Sequence, residues 1–188
     1  MMHVRVLMMS MTEKELVQGC LREDVRCQRA IFERYAGTML AVCLRYARHR
    51  PEAEDMLQEA FIRVFDKMDR FEFKGSFEGW IRRIVINTAL KNFQRKRFTH
   101  EQIGLEHTVE SSAEPAAYSH LGEQELMVLI NHLPDGYRVV FNLYAIEGYS
   151  HKEIAEALGI QEATSRSQLL KARKLLQSQI ERQQRLAV

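Results

Sequence analysis

FEFKGSFEGWIRRIVINTALKNFQRKR, residues 71–97, is the stretch on which the reading of the chain turns. From Ile81 to Arg97 it holds Arg82, Arg83, Lys91, Arg95, Lys96 and Arg97, and no Asp or Glu. At about 100° per residue, Val85, Ile86, Ala89, Leu90 and Phe93 share one helix face, which the spacing predicts as core. The opposite face carries Trp80, Arg83, Asn87, Lys91 and Gln94. It offers an aromatic plane, cations and an amide able to read a base edge. Just upstream, Phe71, Phe73 and Phe77 are spread through a loop with Lys74, Gly75 and Ser76. Aromatic faces that stack bases, set in a positive groove that follows the phosphates, are what an unpaired strand requires. A basic amphipathic helix beside aromatics tucked into a core is the other reading of the same residues.

Upstream, Thr12 and Glu15 have the spacing of a capping box, which predicts a short helix over about 12–20. Asp24 is a candidate N-cap for a second helix reaching about His49, and Pro51 suits the first turn of a third, to about 69. In that third helix Ala53, Met56, Leu57, Ala60, Phe61, Val64, Phe65 and Met68 repeat at three-four spacing and should pack inward. Asp55, Glu59 and Asp66 fall on the other side, with Gln58 beside them and Ile62 in the middle. An apolar residue at the centre of an acidic face suits a partner surface. An ordinary solvated face with one stray Ile is the alternative.

From Phe98 to about His120 the helical period is lost, so 98–120 reads as a flexible linker between a domain over 1–97 and a second over 121–188. In the second, Leu126, Leu129, Ile130 and Leu133 predict one helix, stopped at Pro134–Gly136. Val139, Val140, Leu143 and Tyr144 predict the next, ended at Gly148. Ser150 and Glu153 form a second capping box, Ile154, Ala155 and Leu158 face inward, and Gly159 suits the positive-φ position of a tight turn. A last helix beginning near Gln161 or Glu162 lines one face with Ser165, Leu169, Ala172, Leu176 and Ile180. It turns Thr164, Ser167, Lys171 and Lys174 outward, with Arg166 and Gln168 beside them. This is the form of a helix-turn-helix with a face of hydroxyls and cations for phosphates and base edges.

The whole is therefore expected to be all-α: two small helical domains joined by a flexible linker, the second a four-helix domain containing the helix-turn-helix. Few prolines and glycines agree with this. The net charge of +2 announces no nucleic-acid binding by itself; the segregation of charge along the chain does. Cys20, Cys27 and Cys43 are odd in number and form no CxxC pair, which argues against a disulfide framework and for a reducing cytoplasm. No histidine spacing suggests a metal site and no nucleophile-plus-base pair is apparent. No cofactor, no small-molecule substrate and no catalysis are expected.

Three ordered segments resemble one family. AEDMLQEAFIRVFDKMDRF, FKGSFEGWIRRIVINTALKNFQRKR and LPDGYRVVFNLYAIEGYSHKEIAEALGIQEATSRSQLLKARKLL are similar to the core-polymerase-binding, promoter-melting and promoter-binding segments of bacterial sigma factors. The type resembled is the short extracytoplasmic-function (ECF) branch of the sigma-70 family. The resemblance implies that Asp55, Gln58, Glu59 and Ile62 dock on the clamp helices of the largest subunit of core RNA polymerase. It implies that Phe71, Lys74, Ser76, Phe77, Trp80, Arg83, Asn87 and Lys91 capture the unpaired −10 strand. Thr164, Arg166, Ser167, Gln168, Lys171 and Lys174 would sit on the −35 element of promoter DNA. An anti-sigma factor is a further partner the family allows. Two positions depart from the family pattern: Ser165 stands where an apolar residue is usual, and Gln168 where many members carry Arg. A stand-alone helix-turn-helix transcriptional regulator is the alternative, and it leaves residues 1–97 unexplained.

Overall fold

The computed structural model describes residues 11–103 and 122–186. Among them there are eight α-helices and no strand, so the all-α expectation holds. The chain divides into two compact units, residues 1–92 and 93–188.

The first unit is built from α1 (Glu13–Leu21), α2 (Val25–Leu44), α3 (Arg50–Asp66), a short 3₁₀ turn (Met68–Arg70) and α4 (Phe77–Ile103). Thr12 and Glu15 form the predicted capping box, with Thr12 N–H donating to Glu15 at 2.7 Å and Glu15 N–H to Thr12 at 3.3 Å. Asp24 caps α2 by accepting from Arg26 N–H at 2.9 Å. α2 ends at Leu44, earlier than the pattern predicts. Pro51 bars one continuous helix from α2 into α3, because a helix running through it would lose a backbone bond and clash with the carbonyl four residues back. The chain therefore breaks, and His49 restarts the helix by accepting from Glu52 N–H on Nδ1 at 3.2 Å.

The core of this unit joins Leu16 and Val17 of α1 to Ile31, Tyr35 and Met39 of α2, Met56, Phe61 and Val64 of α3, and Ile81, Val85, Ile86 and Ala89 of α4. The inward faces predicted for α3 and α4 are thus the buried ones, although Phe65 and Phe93 are only partly covered. Burial pushes the Cys20 and Cys43 thiols up to about 12, so both stay inert and protonated at neutral pH. α4 continues to Ile103, past the point where the linker is expected to begin. There is no glycine or proline between Gly79 and Gly104 to stop it. The rest of the expected linker, residues 104–120, lies outside the described residues.

The second unit holds α5 (Glu123–Asn131), α6 (Asp135–Phe141), a π turn (Asn142–Ile146), α7 (His151–Leu158) and α8 (Glu162–Leu186). The second predicted helix is thus an α-helix that widens into a π turn before Gly148 (φ +76°). Leu129 and Ile130 of α5, with Leu133 just after it, close on Ala172 and Leu176 of α8, with Ile180 packed at the edge. Arg138 is buried and donates to Asp135 at 2.8 Å, which keeps its charge paired. Ser150 caps α7 with Glu153 as predicted, and Gly159 adopts φ +64° as the turn requires.

α1 and α2 approach closely at Gly19, where an added Cβ would lie 2.2 Å from Cys27 Sγ. Gly19→Ala should therefore force α1 off α2 and cost about 1–3 kcal/mol. Trp80 is the only tryptophan and belongs to this unit, so urea unfolding followed by its fluorescence reads the effect. An unchanged midpoint would mean that the α1–α2 contact is not rigid.

Candidate nucleic-acid interface

α4 opens at Ser76, whose Oγ accepts from Gly79 N–H at 3.2 Å as an N-cap does. The next residue, Phe77, is 1% exposed, and Phe71 is 6% exposed. Both are among the residues expected to meet the unpaired strand, and the structure places them inside the core. Their rings lie 4.9 Å apart in the core, and Tyr35 meets Phe77 edge-on at 5.6 Å. The apolar rings have no polar group to keep in water, so the unit buries them.

What they carry is a platform. Trp80, half-buried, stacks on Phe77 at 5.8 Å with 14° between the planes and touches Phe71 at 5.4 Å. From Trp80, Arg83, Asn87 and Lys91 follow at three- and four-residue steps, all exposed. The aromatic plane, two cations and an amide thus run along one open face, as the sequence predicts. The loop before the helix adds a residue outside the expected strand contacts. Phe73 is 46% exposed, its ring lies 4.9 Å from Phe71, and its backbone is left-handed (φ +56°). A bulky side chain rarely adopts that conformation, and such strain concentrates at functional positions. Spacing alone could not separate Phe73 from Phe71 and Phe77, because a loop has no period. Lys74 pairs with Glu72 at 2.6 Å on the open surface, a contact worth little.

On α3, Asp55 and Gln58 are exposed and Ile62 is 62% exposed, so three of the four expected partner contacts form one open face. Glu59 is different. Its carboxylate accepts from Arg63 Nη2 at 2.6 Å and from Asn92 Nδ2 at 3.1 Å. It ties α3 to α4 just beside Lys91, a tertiary pairing that helical spacing does not reveal.

In the second unit Arg166, Ser167, Lys171 and Lys174 stand exposed along α8, with Thr164 half-covered. Arg166 is paired with Glu162 at 2.7 Å one turn back, and Ser167 Oγ donates to the Thr164 carbonyl at 3.0 Å. Lys171 lies 5.9 Å from the centre of the Tyr137 ring. Gln168 is drawn inward: a Cβ added at Gly136 would stand 3.3 Å from its Nε2, so its amide lies across the start of α6. Leu170 is exposed on the outer side of the helix. Ser165, on the face shared with Leu169 and Ala172, is fully buried, with Oγ 2.9 Å from His151 Nδ1. Burial, foremost, and the nearby Arg166 hold the His151 ring below the usual imidazole range. Among the described residues no group of three or more His, Cys, Asp or Glu could hold a metal ion.

Comparison with known proteins bears on both units. A family model described as Sigma-70 region 2 matches residues 31–99, and one described as Sigma-70, region 4 matches residues 123–176. Over 185 residues the chain is 26% identical to the ECF RNA polymerase sigma-E factor of Haemophilus influenzae, covering 91% of this chain and 96% of the relative. It is 27% identical to the ECF RNA polymerase sigma factor SigW of Bacillus subtilis, covering 92% of this chain and 98% of that one. Among solved structures it resembles the sigma factor RpoE of Bartonella quintana, solved in complex with the anti-sigma factor NepR. The TM-score is 0.51 at 21% identity, over 81% of this chain and 96% of that one, a likeness of fold. With both sigma-70 regions matched in order and ECF relatives aligned over almost their whole length, the chain belongs to the ECF group of the sigma-70 family.

Proposed function

We propose that this chain is a transcription initiation factor that binds core RNA polymerase and directs it to a specific set of promoters. It catalyses no reaction itself and acts in the cytoplasm, where polymerase and promoter DNA meet. The observation that carries the reading is the open face Trp80–Arg83–Asn87–Lys91 on α4, backed by the buried Phe71–Phe77 pair. That face is suited to an unpaired −10 strand. Trp80 offers a plane for a base, Arg83 and Lys91 neutralise phosphates, and Asn87 can read a base edge.

Unstacking a base costs a few kcal/mol, and each base stacked on an aromatic returns about 1–3 kcal/mol. One or two captured bases therefore offset much of the cost of opening. Phe73, held over the same cluster, supplies the second ring. Phe71 and Phe77 act by support, not by contact. In the second unit Arg166, Ser167, Lys171 and Lys174 would grip the −35 duplex, while Gln168 holds α8 to α6. On α3, Asp55, Gln58 and Ile62 would dock on the polymerase clamp, with Glu59 bracing the helix behind them. An anti-sigma factor is a further partner, as for the Bartonella relative.

Run-off transcription on random promoter fragments, with core polymerase and with or without the chain, tests the reading. New start sites carrying paired −35 and −10 motifs are expected. Polymerase that stays silent while the chain alone retains duplex fragments would favour a stand-alone regulator.

Residue roles separate in the same assay. Asn87→Ala should relax preference at one −10 base by about tenfold, roughly 1.4 kcal/mol, with core binding intact; unchanged preference would remove Asn87 from the site. Asp55→Arg combined with Ile62→Asp should weaken core binding in a pull-down titration, since both side chains are exposed and the fold does not need them. Phe77→Ala should cost about 3–5 kcal/mol of stability. Phe73→Ala should leave stability nearly unchanged and slow open-complex formation on a duplex promoter. Equal stability losses for the two would mean that Phe73 is core as well.

A further inference from the structure

Ser165 is the residue of the second unit whose chemistry the fold does not call for. It is fully buried, where an apolar side chain would have no hydrogen bond to satisfy. Its hydroxyl finds His151 Nδ1 at 2.9 Å, and among the described residues this is its only side-chain hydrogen bond. The direction of that bond follows from counting. If Nδ1–H donated to Oγ, the hydroxyl hydrogen would be buried without an acceptor. If the hydroxyl donates to Nδ1, only lone pairs go unused, which costs far less. His151 is then the neutral ring with its hydrogen on Nε2.

The ring is fixed from its other side too. It stacks on Tyr144 of the π turn at 4.6 Å with 23° between planes, and Tyr144 carries Arg173 of α8 at 5.7 Å. Ser165, His151, Tyr144 and Arg173 thus link the first turn of α7, the π turn and α8 in one chain of contacts.

We propose that His151 is a positioning residue for duplex binding: its Nδ1 accepts the Ser165 hydroxyl hydrogen and sets the angle at which α8 leaves the turn after Gly159. The inference rests on the reading of α8 as the helix that meets duplex DNA. A proton on Nδ1 would replace the acceptor with a donor facing a donor and break the clasp. The groups facing the ring are Arg166, Glu162 and Arg173 on α8 and Tyr144 on the π turn. Burial, Arg166 and Arg173 oppose the charged ring and Glu162 favours it, with the first group prevailing. The N-terminal end of α7 opposes it as well. The folded-state value is depressed, so the clasp is whole above the ordinary imidazole value, about 6.5. It is lost as pH falls through the lower folded-state value.

The test uses the full chain with core polymerase and, as probe, a duplex that the wild-type complex enriches from a random library at pH 7.5. Affinities are measured from pH 7.5 downward for wild type, His151→Ala and His151→Asn. In the last, the amide oxygen sits where Nδ1 was and does not titrate. His151→Ala should bind about three- to tenfold more weakly at pH 7.5, the worth of one buried hydrogen bond, and His151→Asn should recover most of that. Wild type should lose affinity relative to His151→Asn as the pH falls through the depressed value, with the series carried down to the lowest pH at which both stay folded, and a ratio constant over that whole range overturns the proposal. So does a long-range nitrogen-15 spectrum of the full chain, labelled at histidine, that places the hydrogen on Nδ1 at pH 7.5. That spectrum decides the bond even where His151→Ala unfolds. A wild-type complex that enriches no duplex overturns the promoter reading instead.

Discussion

The stacking of Trp80 on the buried Phe77 is the contact on which the exposed face of α4 depends. α4 must satisfy two environments at once, a dry core beneath and water above an exposed, cationic face. An exposed tryptophan on a bare helix would be free to collapse onto any neighbouring apolar surface. Set on Phe77 and against Phe71, its plane is fixed before any base arrives, so less ordering entropy is lost on capture. The same core rings hold the loop residue Phe73 beside it.

Placed on that constraint, the family match has an instructive edge. The region 2 match begins at residue 31, within α2. α1 and the first turns of α2 lie before it, yet they close the core under the platform. Tyr35, which meets Phe77 edge-on, donates to Glu13 of α1, and burial together with that carboxylate pushes its phenol up to about 12. The capped first helix therefore braces the core beneath the Trp80 face from behind.

Much of this was legible in residue order. Both capping boxes, the Gly159 turn and the inward faces of α3, α4 and α8 follow from local chemistry and helical period, and they stand where spacing puts them. The acidic face and the cationic face of α8 were likewise readable, because exposure on a helix is a matter of angle. What was not legible is tertiary. Three phenylalanines in one loop look alike until the fold buries two of them and twists the third into a left-handed backbone. Glu59 looks like a solvated acid until Asn92 arrives from a helix distant in sequence. Ser165 looks like a misfit until His151 meets it.

The side chain of Gln168 lying across Gly136 has a consequence for how such proteins diversify. The recognition helix is not an independent cassette. Gln168 is committed to the start of α6. A longer side chain at 168, or any side chain at 136, would have to displace its neighbour before it could meet a base. Recoding this chain for a different −35 sequence thus calls for paired changes on α6 and α8, and evolution would be expected to move them together.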